Sequence, residues 1–599
     1  MNLLQLNSSA LKHLLQLWHP INARMKQHDI SLTVAKSLRN LAHRENNFVK
    51  RTIVIGITNF RKRSESSRLI RTLVSNIWLS EIINKRCRKS PHVKLIVSSV
   101  VFVFTLKLCT SNKSNLCLSA CINKRDNSFN TKGAKMNKLQ KQLLKQQESK
   151  ALLKQAQQAA FDYIDKVSEQ RVFPSKDNLE KLKIFDEPLP EATNTPDLLL
   201  ELLDTVGSVN TVAQTGGRYF GFVNGNALPV TLAAKWLSDV WDQNAALYVM
   251  SPIASKLESI CQTWLNQLFH LPKQTVAGFI SGTSIATLSG LAAARFRQLQ
   301  KLGWDVNQQG LFSAPKLRLI LGKQTHGTVA KAISLLGFGQ ASIEWIDCDD
   351  QGRMIVDQLP LLDASCILVL QAGNVNSGAF DDFTRVCQLA QQAQAWVHID
   401  GAFGLWAKAS KVFDKHTKGM ELADSWSVDA HKTLNTPYDC GVVMCKDAEA
   451  LTSALHQQGS YIQLSEQRDG LLYTPEMSKR ARAIELWAAM KYLGRWGIAE
   501  LIEQLHHHAQ LFAELLTDNG FTVLNDVVFN QVIISCETEQ LTQQTLMLVQ
   551  QSGECWCGGS VWQEKSVIRI SLCSWATTEQ DIKHAVDTFI QARSQALKT

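Results

Sequence analysis

No apolar run in this chain of 599 residues reaches the roughly 20 residues that a bilayer-spanning helix needs. The most apolar stretch, residues 95–106, is closed off by Lys94 and Lys107 and lies too far from the first residue to be a secretory signal. The 14 cysteines lack the clustered spacing of a disulfide framework. Cys261, Cys348, Cys366, Cys387, Cys440 and Cys445 fall inside expected strands and helices, as buried thiols of a reducing compartment do. Cys555-Trp556-Cys557 has no partner pair at metal spacing, and His506-His507-His508, expected on a solvated helix face, has no second ligand cluster. No metal site is expected.

Acid and glycine are scarce in the first 135 residues. That region holds 24 Lys+Arg against 5 Asp+Glu and only Gly56 and Gly133, with no sustained helical or strand period. The net charge of +11 therefore belongs to this extension; the remaining 40 basic and 48 acidic residues leave the rest mildly acidic. A basic arm for nucleic acid or anionic lipid is one reading of residues 1–135. The other takes Met136-Asn137-Lys138-Leu139 as a natural start and the extension as disordered or outside the mature protein.

What is present is a set of strand ends that carry chemistry. Trp396-Val397-His398-Ile399-Asp400-Gly401-Ala402 and Ser425-Trp426-Ser427-Val428-Asp429-Ala430-His431-Lys432 read as neighbouring buried strands. One delivers a carboxylate and the other a lysine. A pyridoxal phosphate enzyme needs that pair, a lysine amine to condense with the aldehyde and an aspartate to keep the pyridine nitrogen protonated. Upstream, Phe279-Ile280-Ser281-Gly282-Thr283-Ser284 runs from an apolar strand into a helix, and a helix start of this kind offers free N–H groups to a phosphate dianion.

These motifs resemble the group II pyridoxal-phosphate-dependent amino-acid decarboxylases of the aspartate-aminotransferase fold (fold type I), over roughly residues 136–599. The resemblance implies an α/β fold with a mostly parallel, seven-stranded type of central sheet in a large domain and a smaller C-terminal α+β domain. The expected divisions are 1–135 for the extension, 136–250 for N-terminal helices at a dimer interface, 251–450 for the cofactor domain and 451–599 for the small domain. The cofactor implied is pyridoxal 5'-phosphate, and the partners are an L-amino acid and a second copy of the chain. No nucleic acid is expected for the enzyme core, no membrane is expected, and the location implied is cytoplasmic.

Residue by residue, the resemblance assigns Lys432 to the cofactor aldehyde, Asp400 to the pyridine nitrogen and His326 to the ring face. Gly282, Thr283 and Ser284 would cradle the phosphate, although this chain departs from the family's usual carboxylate and asparagine or threonine around Ile285 and Thr287, so the backbone rather than those side chains is expected to hold it. Asn374 stands where relatives carry donors to the phenolic oxygen. Ala402 would pack under the ring, and Asp429 and His431 flank the lysine. Phe220 and Phe222, in a Gly-aromatic run that could equally be a structural turn, would wall the substrate pocket. Tyr461 and Tyr473 bracket a polar loop, and Tyr473 is the candidate proton donor to the substrate Cα. Arg569, on an alternating strand, would bind a substrate carboxylate or form an edge salt bridge.

The activity expected is loss of CO2 from an L-amino acid. Other reactions open to the same centre are transamination and carbon–carbon lyase chemistry, and a binding protein acting through the basic arm is a third possibility. The side chain of the substrate is left open.

Overall fold

The computed structural model describes residues 137–455 and 464–598; the extension at residues 1–135 and Tyr461 lie outside them. The described residues open with α1 (Lys138–Ser149) and α2 (Ala151–Lys166), followed later by α3 (Pro196–Leu202), none of which buries a single residue. Leu139, Leu143, Leu153, Phe161 and Leu198 stay exposed along them. Two helices then pack onto the body, α4 (Pro229–Trp241) and α5 (Pro252–Leu268). Ser251 caps α5 by accepting from the Ala254 N–H, and Pro252 fills its first turn, where a missing donor costs nothing.

The central sheet has seven strands: β1 (Val276–Ile280), β2 (Arg318–Gly322), β3 (Ile343–Ile346), β4 (Cys366–Gln371), β5 (Trp396–Asp400), β6 (Ser425–Asp429) and β7 (Gly441–Cys445). Their order is β1-β7-β6-β5-β4-β2-β3. The run from β3 to β6 is parallel, and β7 is antiparallel to both β6 and β1. Helices α6 (Thr283–Lys301), α7 (Gly327–Leu335) and α8 (Phe383–Gln392) connect these strands. Both faces are therefore covered, which is why β4 reads as Cys-Ile-Leu-Val-Leu-Gln and is buried at every position.

Helix α9 runs from Ala483 to Asp518 across a kink at Gly494 (φ 60°). Glycine adopts that left-handed conformation without a Cβ penalty. The histidine triplet rides on this helix, and only His507 faces solvent. His508 is buried and His506 shares a hydrogen bond with the Phe529 carbonyl, so the expected solvated face is reduced to one residue. The helix packs its second half onto the small domain, and that contact withdraws the other two.

The C-terminal sheet is antiparallel, in the order β10-β11-β9-β8, from β8 (Thr522–Val523), β9 (Gln531–Ser535), β10 (Gly558–Trp562) and β11 (Lys565–Ser571). Helices α10 (Glu539–Ser552) and α11 (Glu579–Ala596) cover it, giving an α+β unit. Thr578 starts α11 in a reciprocal capping box with Asp581. Cys555 and Cys557 are buried free thiols in this core.

Candidate active site

Parallel strands open their carboxyl ends at one edge of a sheet, and the crevice there is where α/β proteins bind ligands. A cavity of about 390 Å³ lies at that edge, lined from β5 by Asp400, from the turn after β6 by His431 and Lys432, and from the start of α6 by Gly282, Thr283 and Ser284. Asp400 is aligned with Ser427 across the β5–β6 pair, which fixes the carboxylate beside the strand that ends in the lysine turn.

Asp400 is 6% exposed, and one hydrogen bond is recorded for its carboxylate, from the Ala402 N–H to Oδ1 at 3.2 Å. Burial pushes its pKa up, and His326 and Lys432 pull against that rise. A buried carboxylate this poorly solvated, lining a cavity, is complementary to a positively charged ring N–H.

The Lys432 amine lies 3.2 Å from Asp429 Oδ2. Asp429 in turn accepts from the Thr283 N–H at 2.7 Å and from the Thr283 hydroxyl at 2.9 Å. It therefore ties the lysine strand to the start of α6. Gly282 precedes that helix without a side-chain cap, and with the Thr283 N–H given to Asp429 and the Ile285 N–H to the Gly282 carbonyl, the Ser284 N–H remains for a ligand. A Cβ at Gly441 would overlap the Gly282 backbone, so the cradle closes only because Gly441 has no side chain. The geometry thus suits a phosphate at the α6 start, an aldehyde at Lys432 and a pyridine nitrogen at Asp400.

His431 accepts from the Cys440 N–H through Nδ1, which leaves its proton on Nε2, 3.6 Å from Asp429 Oδ2. Burial lowers its pKa and favours the neutral ring. His326 caps α7, with Nδ1 accepting from the Thr328 N–H and lying 2.7 Å from the Thr328 hydroxyl. Its ring reaches the mouth of the cavity. Desolvation by the surrounding protein lowers its pKa, with Asp400 opposing. Ala402 also lines the cavity.

Four of the expected residues sit elsewhere. Asn374 is buried in a tight turn, where its Oδ1 accepts from the Asn376 and Ser377 N–H groups and its Nδ2 donates to the Gln324 carbonyl. The turn takes its oxygen and Gln324 takes one of its two N–H donors, and the side chain is not part of the cavity wall. Phe220 is fully buried, edge-on to Phe512 in the small-domain core. Phe222 is exposed and stacks on Trp556, so it is the next residue, Val223, that reaches the cavity. Tyr473 packs its ring under the Arg468 guanidinium, 4.1 Å away, with its carbonyl against Gly278 on the outer strand β1. Within this chain it is not part of the cavity wall. Arg569 does come close: Nη1 donates to the carbonyl of the cavity residue Val375, its buried Nε has no partner, and burial lowers its pKa.

Sequence reasoning passed over Tyr438 and Thr328, both of which line the cavity. Thr328 stands two residues beyond His326, and Tyr438 lies six residues beyond Lys432, in the turn that returns to β7. Among the described residues, no group of three or more His, Cys, Asp or Glu side chains could hold a metal ion, and no helix is long and apolar enough to cross a membrane.

Comparison with known proteins agrees with this geometry. Residues 182–536 match the model of the pyridoxal-dependent decarboxylase conserved domain. Tryptophan decarboxylase 2 of Oryza sativa subsp. japonica is 26% identical over 433 residues, 67% of this chain and 86% of that protein. Aspartate 1-decarboxylase of Aliivibrio fischeri is 29% identical over 280 residues, 44% of this chain and 50% of that protein. The crystal structure of Oryza sativa TDC with PLP and tryptamine superposes with a TM-score of 0.69 at 22% identity, covering 75% of this chain and 98% of that one; at that identity the likeness speaks for the fold.

Proposed function

This chain belongs to the pyridoxal-dependent decarboxylase family and is a pyridoxal-phosphate-dependent carboxy-lyase acting on an amino acid, and from that premise we propose which residues carry the reaction. The cofactor, when bound, supplies an aldehyde and an electron-accepting pyridinium ring. Lys432, which lines the cavity, would hold the cofactor aldehyde through its amine. Asp400 keeps the ring nitrogen protonated, and the buried carboxylate facing the cavity is the observation that carries this reading. The Ser284 N–H and hydroxyl at the start of α6 would hold the phosphate, while Thr283, with both its donors given to Asp429, would shape the cradle from behind.

His326 and Ala402, which both line the cavity, would flank the cofactor ring. Arg569, whose Nη1 reaches the carbonyl of the cavity residue Val375, would anchor a substrate carboxylate there. Orientation decides the outcome, because the bond perpendicular to the ring is the one that breaks, and these contacts would set the Cα–carboxylate bond there. The relatives' names span tryptophan and aspartate, so the family leaves the substrate's side chain open.

We also assign a homodimer. Helices α1 to α3 bury nothing within one chain, and Val240, Trp241, Val249 and Met250 extend the exposed apolar surface. A patch of this kind marks an association surface. The ten cysteines of the described residues are all free, which fits a reducing, cytoplasmic setting.

The test is a visible spectrum of the cofactor-loaded protein beside Lys432→Ala, followed by CO2 and keto-acid assays on a panel of L-amino acids. The expected outcome is a cofactor band lost in the variant, with CO2 and amine as products. A band that survives the substitution would remove Lys432 from its role. Keto acid in place of CO2 would contradict the orientation argument.

A further inference from the structure

We propose that Tyr438 selects the substrate, presenting a fixed hydrogen-bond acceptor to its side chain; this rests on the decarboxylase reading above and narrows it to a substrate class. Tyr438 lines the cavity beside Lys432 and is 43% exposed. Its ring packs against His431 with centroids 4.3 Å apart. His431 is itself pinned by the Cys440 N–H, so the phenol is held in one orientation.

The hydroxyl has one proton to give, and it goes to Asn224 Oδ1 at 3.0 Å. Asn224 is fixed in turn, its Nδ2 donating to Gln214 Oε1 at 3.0 Å. Burial pushes the phenol's pKa well up, so the group stays neutral. With its proton committed to Asn224, the Tyr438 oxygen can only accept from the cavity side. Turning the proton inward would strand the Asn224 carbonyl without its donor.

The charge around this end points the same way. Asp429 is the charged group acting on the phenol, and it raises the phenol's pKa; Cys573 and Tyr219 beside it are themselves pushed up by burial and stay neutral. A carboxylate or sulfinate side chain would meet the lone pairs of this oxygen, with the Asp429 carboxylate as the charge acting on it. A side chain ending in an N–H or O–H donor would complete the relay from Gln214 through Asn224 and Tyr438. The class favoured is therefore an L-amino acid with an amine, hydroxyphenyl or indole side chain.

The anchoring loop adds precision. A Cβ on Gly225 would overlap the Lys432 carbonyl oxygen, and the Asn226 N–H donates to Asn435 Oδ1 at 3.1 Å. Asn224 is thus carried by a loop clamped onto the lysine turn, and the acceptor stays at a constant distance from the reacting lysine. A site that hydrogen-bonds a substrate donor discriminates strongly against the analogue that lacks it, because its own polar group is left unpaired.

The experiment measures kcat/KM for CO2 release by the loaded wild-type enzyme and Tyr438→Phe, using matched pairs. These are tyrosine with phenylalanine and 2,4-diaminobutyrate with norvaline, with glutamate as the anionic member. The wild type is expected to favour the donor in at least one pair by about tenfold or more, and Tyr438→Phe to bring that ratio to within about twofold of unity. A ratio unchanged in the variant, or glutamate as the best substrate, overturns the proposal.

If Tyr438→Phe fails to retain the cofactor band, Asn224→Leu replaces it. Freeing the phenol to donate should lower the same ratio, and an unchanged ratio is again fatal. Should no amino acid release CO2 while the band is present, the carboxy-lyase reading fails separately. The shift of the band with each amino acid then gives the donor-to-analogue binding ratio, judged by the same criterion.

Discussion

Glu258 and Asp400 are both withdrawn from solvent, at 1% and 6% exposure, yet their surroundings are opposite. Glu258, on α5, accepts from Arg468 Nε at 2.8 Å and from Lys479 Nζ at 3.2 Å. Arg468 also reaches Gln262 Oε1 and the Ala277 carbonyl, and Lys479 reaches the carbonyls of Phe279 and Gly470. That cluster stitches α5, β1 and the segment 468–479 together and leaves its charges compensated. Asp400 has a single backbone donor and a cavity in front of it. A buried charge that is fully partnered is architecture; one left short of partners at a cavity is waiting for a ligand.

The largest effect that sharpens this contrast is on catalysis. Asp400→Asn should lower kcat by about 10²- to 10³-fold, the cost of removing one preorganised electrostatic group, with the cofactor still bound. The same substitution should stabilise the cofactor-free protein at neutral pH. A carboxyl whose folded pKa is raised contributes stability that is complete below its unfolded value and is lost as pH rises through the folded one, and asparagine has nothing to ionise. A variant that is inactive and also less stable without cofactor would make Asp400 resemble Glu258, and the contrast would fall.

Glu258→Gln is the converse. Removing one partner of a buried ion cluster should cost about 3–5 kcal/mol in denaturant unfolding, since Arg468 and Lys479 keep their charge. The kcat of the folded fraction should stay within about twofold. A large fall in kcat with normal stability would show that the cluster reaches the chemistry.

What the sequence made legible follows from the same distinction. Strand ends announce themselves, because a buried apolar run such as Trp396 to Ile399 has little physical reason to stop at a carboxylate like Asp400 unless a ligand meets it there. The sheet, the α6 start and the lysine turn were readable for that reason. Asn374 and Tyr473 were not, since a turn that consumes its own amide and a ring that packs under an arginine look like donors until their partners are known. Phe220 and Val223 show the limit at single-residue scale. The run Tyr219 to Val223 reaches the cavity, but Phe222 at φ 53° turns the chain so that Val223 supplies the wall. Tyr438 was missed because its role depends on Asn224, 214 positions away in the chain.

His398 tests the architectural side of the comparison with the smallest effect. It is fully buried two residues before Asp400, with Nδ1 2.8 Å from the Ser425 hydroxyl and Nε2 3.4 Å from that of Ser427. Thr287 on α6 continues the chain at 3.1 Å from the Ser427 hydroxyl. Burial pushes the His398 pKa down to about 3. A group with a depressed folded pKa contributes stability that is whole above its unfolded value, near 6.5, and fades as pH falls towards the folded one. Wild-type unfolding free energy should therefore drop by up to about 1.4 kcal/mol per pH unit below about 6.5 on account of this residue alone. His398→Gln keeps a polar side chain between the two serines and cannot titrate, so its stability curve from about pH 7 to about 4.5 should be flatter by that amount. Parallel curves would mean that the imidazole is already charged inside the sheet, and the polar chain beneath Asp400 would then be electrostatic rather than a neutral brace.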